Sequence, residues 1–208
     1  MIVFRDGWYR LEGDRGFEVF RHEYSTPLPF EIRPGDAVVD LGANVGVFSR
    51  LAFESGASVL SVEPVPEVFA VLKLNCPKCD CRMMAAYDLD NVTIGIEYDL
   101  SDTGKSSSVL PVEGKSCQTS TVTVDGFNLD RLTVIKMDIE GCEERALRGA
   151  METIRAFRPR MLVSIEHLPD DESRLSAVID AIQPGYRKTV LPSRGPGDRT
   201  LYCEWRGR

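Results

Sequence analysis

The stretch Val38-Val39-Asp40-Leu41-Gly42-Ala43-Asn44-Val45-Gly46 decides how this chain is read. An apolar run ends in an acid, passes through a glycine turn and opens a helix predicted over Val45–Ser55. A second apolar run, Val59-Leu60-Ser61-Val62, then ends in Glu63. Strand, glycine turn, helix and a second strand closed by an acid frame a ligand with an adenosine half. Glycines let the backbone approach such a ligand without a Cβ in the way. The first amides of the helix offer donors to a carboxylate or phosphate. Glu63 is placed to accept two hydrogen bonds from ribose hydroxyls.

The loop spacing chooses among ligands. A dinucleotide loop wants G-x-G-x-x-G, whereas this one runs Gly42-x-x-x-Gly46 behind Asp40. A carboxylate at the strand end repels a pyrophosphate but can receive an ammonium group. S-adenosylmethionine carries an amine beside its carboxylate and a sulfonium cation, so it is preferred here over a nicotinamide or flavin dinucleotide.

Working outward, strands and helices alternate. Residues 1–30 read as an antiparallel hairpin or two short strands, with Gly7, Gly13 and Gly16 as turn signals. Strand Ala37–Leu41, helix Val45–Ser55, strand Ser58–Glu63, helix Pro66–Asn75 and strand Cys81–Tyr87 follow. Residues 91–125 break the rhythm with strands Val92–Tyr98 and Gln118–Val124 around a Ser/Gly-rich loop, Ser101 to Ser116, read as a mobile lid or a surface excursion. Then come strand Leu132–Met137, a long helix Cys142–Phe157, strand Arg160–Ile165, helix Glu172–Gln183 and strands Arg187–Leu191 and Thr200–Trp205. This order predicts one α/β domain over residues 1–208, with a mostly parallel sheet and helices on both faces.

Ligands of such sheets sit beyond the carboxyl ends of the strands. Those ends carry Asp40, Glu63, Ala86-Tyr87-Asp88, Lys136-Met137-Asp138-Ile139-Glu140 and Glu166-His167. In an extended strand Lys136, Asp138 and Glu140 share one face, and three charges at a pocket mouth must pair with each other or with ligand. Glu143 is accounted for by the dipole of the helix it opens. His167 can take a proton near neutral pH, which suits a base.

Composition excludes other classes. With 25 basic against 32 acidic residues, the formal charge of −7 argues against a general nucleic-acid binder. The exception is the tail, with Arg187, Lys188, Arg194, Arg199, Arg206 and Arg208, read as a solvated hairpin edge or a dock for an anionic acceptor. No apolar run approaches the roughly 20 residues needed to span a bilayer. The opening MIVFRDGWYR lacks the pattern of a secretory signal, so the expected compartment is cytoplasmic. Cys76, Cys79 and Cys81 cluster, yet no second C-x-x-C or spaced His pair accompanies them, which predicts reduced thiols rather than a zinc knuckle.

These motifs together resemble the FkbM-type family of S-adenosylmethionine-dependent methyltransferases. The matching segments are DLGANVGVFS at Asp40–Ser49, VEP at Val62–Pro64, TVD at Thr123–Asp125 and KMDIEGCE at Lys136–Glu143. LRGA at Leu147–Ala150 and RP…IEH from Arg158 to His167 complete them. The resemblance implies a Rossmann-like seven-stranded sheet whose last strand is antiparallel, and methyl transfer to a hydroxyl of a small molecule or sugar. The donor contacts then fall on Asp40, Gly42, Ala43, Asn44, Gly46, Ser49, Glu63, Pro64, Ala86 and Asp138. His167 is the first candidate base, with Asp138 or Glu140 as alternatives, and Lys136 orients Asp138 or stabilises oxyanion character. Two alternatives stay open: a divalent-metal-dependent O-methyltransferase with Asp138 as one hard-oxygen ligand, and a non-catalytic nucleotide-binding module; no metal ligand set is assigned, because Glu166 and His167 stand where an Asp-Asn pair would complete one.

Overall fold

The computed structural model describes residues 1–15, 30–104, 106–107, 112–191 and 199–207. The core strands are β3 (Ala37–Leu41), β4 (Ser58–Val62), β5 (Asp80–Arg82), β10 (Val134–Met137), β11 (Arg160–Ser164), β12 (Tyr186–Val190) and β13 (Thr200–Trp205). They form a seven-stranded sheet in the order β12-β13-β11-β10-β3-β4-β5. All adjacent pairs from β11 to β5 are parallel, while β13 runs antiparallel to both β11 and β12. The last strand is thus the reversed one, inserted beside β11.

Alternation along the strands feeds two helical layers. Val39, Leu41, Ile135, Met137, Met161 and Val163 pack against α3 (Glu143–Arg148), α4 (Met151–Phe157) and α5 (Asp171–Ile182). Val38, Val134 and Leu162 pack on the opposite face against Phe48 and Ala52 of α1 (Val47–Glu54). Neighbouring α2 (Pro66–Asn75) begins with proline in its first turn, where the missing N–H costs nothing. Asp40 and Lys136 fall on the α1 face by the same two-residue period, and the parallel register sets them side by side.

A smaller sheet stands beside the carboxyl edge, in the order β6-β9-β7-β8. It comprises β6 (Ala85–Ala86), β7 (Thr93–Tyr98), β8 (Ser106–Ser107) and β9 (Lys115–Val122). At the amino end, β1 (Ile2–Arg5) and β2 (Trp8–Leu11) form the expected hairpin, while residues 16–29 of that segment lie outside the described residues. Residue 105 and residues 108–111 of the Ser/Gly-rich loop lie outside them too.

Three sequence expectations are corrected. The strand expected over Cys81–Tyr87 is two: β5 stays in the main sheet and β6 leaves it to pair with β9. The helix expected from Val45 starts at Val47, because Gly46 sits at φ 91. The long helix Cys142–Phe157 breaks between α3 and α4, where Gly149 passes so near Tyr87 that a Cβ would lie 2.0 Å from its carbonyl oxygen. Asp125 restarts the helix by accepting hydrogen bonds from the N–H groups of Glu152 (3.1 Å) and Thr153 (2.8 Å).

Candidate active site

The loop after β3 is held by backbone geometry that few residues permit. Gly42 has φ 73, and a Cβ there would lie 1.8 Å from the carbonyl oxygen of Asp138, so side by side the ends of β3 and β10 leave room only for glycine. The N–H groups of Gly42 and Ala43 both donate to the Val62 carbonyl, at 3.0 and 2.9 Å. Asn44, also left-handed at φ 51, donates its N–H to Glu63 Oε2 (3.0 Å) and its Nδ2 to the Thr103 carbonyl (2.8 Å). Among the described residues no side chain caps the start of α1.

Glu63 directly follows β4, with its carboxylate almost wholly buried. Oε2 accepts from Asn44 and Oε1 from the Val65 N–H at 3.0 Å. Burial pushes its carboxyl up to about 7, against the pull of those two amides and of Lys136. Each oxygen keeps acceptor capacity for a further donor, which fits a ribose diol.

These groups line a cleft of about 810 Å³, its open mouth included. Gly42, Ala43, Asn44, Glu63, Pro64, Ala86, Lys136, Asp138 and Glu140 all contribute to its wall. Met84, Tyr87, Ile94, Ile96, Thr103 and Gly104 close it from the side of the small sheet. Asp40, Gly46 and Ser49 lie behind the wall. Asp40 is fully buried, accepting from Ser49 Oγ (2.6 Å) with Lys136 Nζ 3.4 Å away, and Ser49 Oγ also meets Ser61 Oγ at 2.7 Å. The expectation that Asp40 itself receives an ammonium is therefore corrected: its carboxylate is enclosed by Ser49 and Lys136 and serves the loop from beneath.

At the far end of the cleft, Asp138, Glu140 and His167 come together. His167 Nε2 lies 3.6 Å from Asp138 Oδ1 and 3.5 Å from Glu140 Oε1, while Nδ1 lies 3.0 Å from Glu143 Oε1. Glu143, fully buried, also accepts from the N–H groups of Ile139 (2.9 Å) and Gly141 (3.1 Å). This ties the left-handed turn at Glu140 (φ 54) and Gly141 (φ 98) to His167. Glu140 is thus not simply the next residue along a strand face. The turn brings it back towards Asp138. Burial alone disfavours the charged imidazole, but Glu140 and Glu143 outweigh it and hold His167 up at about 11. Carboxylates face both ring nitrogens, so the expected role of His167 as first candidate base competes with this pairing. Burial in turn raises the Glu140 carboxyl, although His167 pulls the other way.

Other expectations resolve around this centre. The six cysteines are free thiols, and Cys76 packs under the donor loop, its Sγ directing 3.4 Å to the Gly46 carbonyl. In the basic tail, Lys188 pairs with Asp180, Arg199 with Glu172 and Arg206 with Glu204, as a solvated edge would; Arg194 and Arg208 lie outside the described residues. Sequence reasoning missed two parts. Glu143 reads as a dipole residue because nothing local announces its partner His167, although the repeated acid in E-G-C-E is a signal. The wall from Ile94, Ile96 and Thr103 has none, since it depends on how the small sheet docks. No helix among the described residues is long and apolar enough to cross a membrane.

Comparison with known proteins agrees with this geometry. Residues 40–188 match the model of the methyltransferase FkbM domain. The chain is 27% identical over 218 residues to 31-O-demethyl-FK506 methyltransferase FkbM of Streptomyces tacrolimicus, covering 86% of this chain and 82% of that protein. Among solved structures it resembles methyltransferase FkbM from Methylobacillus flagellatus, with a TM-score of 0.66 and 21% identity over 84% of this chain. The match spans only 45% of that longer chain. Aeropyrum pernix fibrillarin, crystallised with natively bound S-adenosyl-L-methionine, shares the fold at a TM-score of 0.55 and 11% identity, covering 98% of this chain and 81% of that one. With Gly42 to Asn44 and Glu63 shaping one cleft and the family's model covering well over half its length, this chain belongs to the FkbM methyltransferase family and depends on S-adenosyl-L-methionine as methyl donor.

Proposed function

We propose that the protein methylates a hydroxyl oxygen of a small molecule or sugar. The observation that carries this reading is the pair Asp138 and Glu140, which line the cleft beside the Gly42–Asn44 loop, with His167 against both carboxylates. Support also comes from the Streptomyces relative, whose name specifies a demethylated oxygen as its acceptor.

S-adenosylmethionine supplies an activated methyl group on a sulfonium, so the protein's task is mainly to align two substrates and manage one proton. Glu63 holds the ribose diol, and Pro64 and Ala86 flank the adenine. Gly42 to Asn44 and the uncapped start of α1 receive the amino-acid half. Lys136, donating 2.8 Å to the Gly42 carbonyl, fixes the loop rather than touching the acceptor. Asp138 and Glu140 are the groups at the cleft wall that can accept the hydroxyl proton, and His167 balances their charge.

The test is a screen of hydroxylated metabolites with methyl-labelled donor, the product's carbon shift reporting which atom carries the label. An O-methyl product supports the assignment. Transfer only to nitrogen, carbon or sulfur acceptors overturns it.

A further inference from the structure

We infer that Cys76 and Cys79 form an oxidation site, a dithiol that hydroperoxides close to a disulfide and that is coupled to the shape of the donor loop. The site lies outside the methyl-transfer chemistry and makes no use of the acceptor. Its consequence for donor binding rests on the donor lying over Gly42 to Gly46.

The turn joining α2 to β5 brings the pair together. Cys76 caps α2, and the Cys79 N–H donates to the Cys76 carbonyl at 3.1 Å, so the chain turns over exposed Pro77 and Lys78. Cys76 packs with Ala43 and Leu72, Cys79 packs against that cluster, and the two thiols are hydrogen-bonded to each other. The third thiol faces backbone: Cys81 Sγ lies 3.8 Å from the Cys76 carbonyl oxygen and 3.7 Å from that of Cys79.

An independent observation is that the same segment grips the donor loop from beneath. Asn75 Nδ2 donates to the Val45 carbonyl at 2.7 Å, and Cys76 Sγ donates to the Gly46 carbonyl at 3.4 Å. Successive carbonyls of the loop are thus held by successive residues at the end of α2. The fit has no slack, since a Cβ on Gly46 would lie 2.7 Å from Cys76 Sγ. A disulfide sulfur carries no proton. Closing the pair therefore removes the Cys76 donor from Gly46 and draws towards Cys79 the sulfur that fills the space under the loop. Gly46 keeps the N–H of Arg50 at 2.9 Å, so the loop is loosened rather than unfolded.

The two thiols are unequal in the way this chemistry needs. Cys79 is half-buried, whereas Cys76 is buried. The hydrogen bond from Cys76 holds the Cys79 thiol below its ordinary range and Cys76 above it, and the thiolate is the nucleophile. Burial pushes Cys81 up to about 11, which keeps it a thiol. The Cys79 thiolate attacks one oxygen of a hydroperoxide and the O–O bond breaks, leaving a sulfenic acid on Cys79 and an alkoxide that takes a proton from solvent. Cys76 sulfur then attacks the sulfenic sulfur. The S–S bond forms, and the departing hydroxide leaves as water with the Cys76 proton. Two electrons pass from the dithiol to the peroxide, and a thiol reductant returns them.

The experiment exposes the full, reduced chain to hydrogen peroxide, blocks the remaining thiols with N-ethylmaleimide and maps the cysteines by mass spectrometry. A Cys76–Cys79 disulfide within one chain, reversed by dithiothreitol, is expected. Calorimetry should then show S-adenosylhomocysteine bound about 3- to 10-fold more weakly by the oxidised chain, the scale of one lost hydrogen bond, with affinity restored on reduction. Cys79→Ser should bind it as the reduced wild type does and be unmoved by peroxide. Cys76→Ala should stop at a sulfenic acid on Cys79 that dimedone labels, and the wild-type map decides the matter should that variant fail to fold. No disulfide between this pair, or one formed first with another cysteine, overturns the inference. A Cys76–Cys79 disulfide with unchanged affinity overturns the link to the donor loop. No binding by the reduced chain overturns the donor site and that link together.

Discussion

Lys136 Nζ stands 3.4 Å from Oδ1 of Asp40, at directly paired positions of two parallel strands, with both side chains buried. Among the described residues Asp40 Oδ1 has no hydrogen-bond partner, so the ammonium is its main compensation. The same Nζ donates to the Gly42 carbonyl and lies 3.8 Å from Asp138. One cation therefore joins the D-L-G-A-N loop to the K-M-D-I-E strand end. Removing it leaves a buried carboxylate without its counter-charge, although Ser49 Oγ still donates to Oδ2. Lys136→Met is expected to cost about 3–5 kcal/mol. Asp40→Asn combined with Lys136→Met should cost less than the sum of the two single changes, as urea unfolding of all four proteins would show.

Glu63 gives a pH dependence with a definite sign. Its carboxyl ordinarily titrates at 4.5 and is raised to about 7 in the folded protein. Between those values the unfolded chain releases a proton that the folded one keeps. The stability that Glu63 contributes is therefore present in full below pH 4.5 and is lost as pH rises through about 7. The melting temperature of the unliganded protein should fall across that window, and Glu63→Gln should flatten the slope. Ribose hydroxyls donate to the ionised form, so donor affinity should rise with pH through the same range and binding should release a proton. Calorimetry in buffers of different ionisation heats measures that release.

Gly149 tests the break between α3 and α4. A Cβ there would lie 2.0 Å from the Tyr87 carbonyl oxygen, a backbone atom that cannot step aside. Gly149→Ala is expected to destabilise by about 1–3 kcal/mol, the range for overpacking, despite alanine's better helix propensity. An unchanged denaturation midpoint would mean that α3 and α4 separate for another reason.

How much of this was legible depends on how local each cause is. The loop Gly42 to Gly46 and the acid Glu63 are read from spacing alone, because a glycine turn and a strand-end carboxylate have local signatures. The sheet follows from alternation, since Val38, Val39 and Leu41 face their layers by the two-residue period. Departures arise from distant contacts. Nothing near Gly149 announces Tyr87, and nothing in Cys81–Tyr87 says that Ala85 will pair with Thr121 instead of continuing the main sheet. His167 looked like a free base because its three carboxylates lie 24 to 29 residues away in sequence. Asp40 looked like a ligand group because its burial is a property of the pairing with Lys136.

His167→Ala separates charge balance from donor binding. The ring lies beyond the groups assigned to the donor, so affinity for S-adenosylhomocysteine should be retained. Turnover of a true hydroxyl acceptor should fall by about two to three powers of ten, the scale for losing one electrostatic partner of the reacting group. Normal turnover per folded molecule would place the acceptor elsewhere.

The most direct measurement is a calorimetric titration of S-adenosylhomocysteine into the wild-type chain and Glu63→Ala, with NAD as the competing ligand. Micromolar binding to the wild type is expected, weakened by roughly 2–3 kcal/mol in a folded Glu63→Ala as two charge-assisted hydrogen bonds are lost. Equal affinity in the two proteins, or tighter binding of NAD than of S-adenosylhomocysteine, would contradict a methyl donor held in this cleft by Glu63.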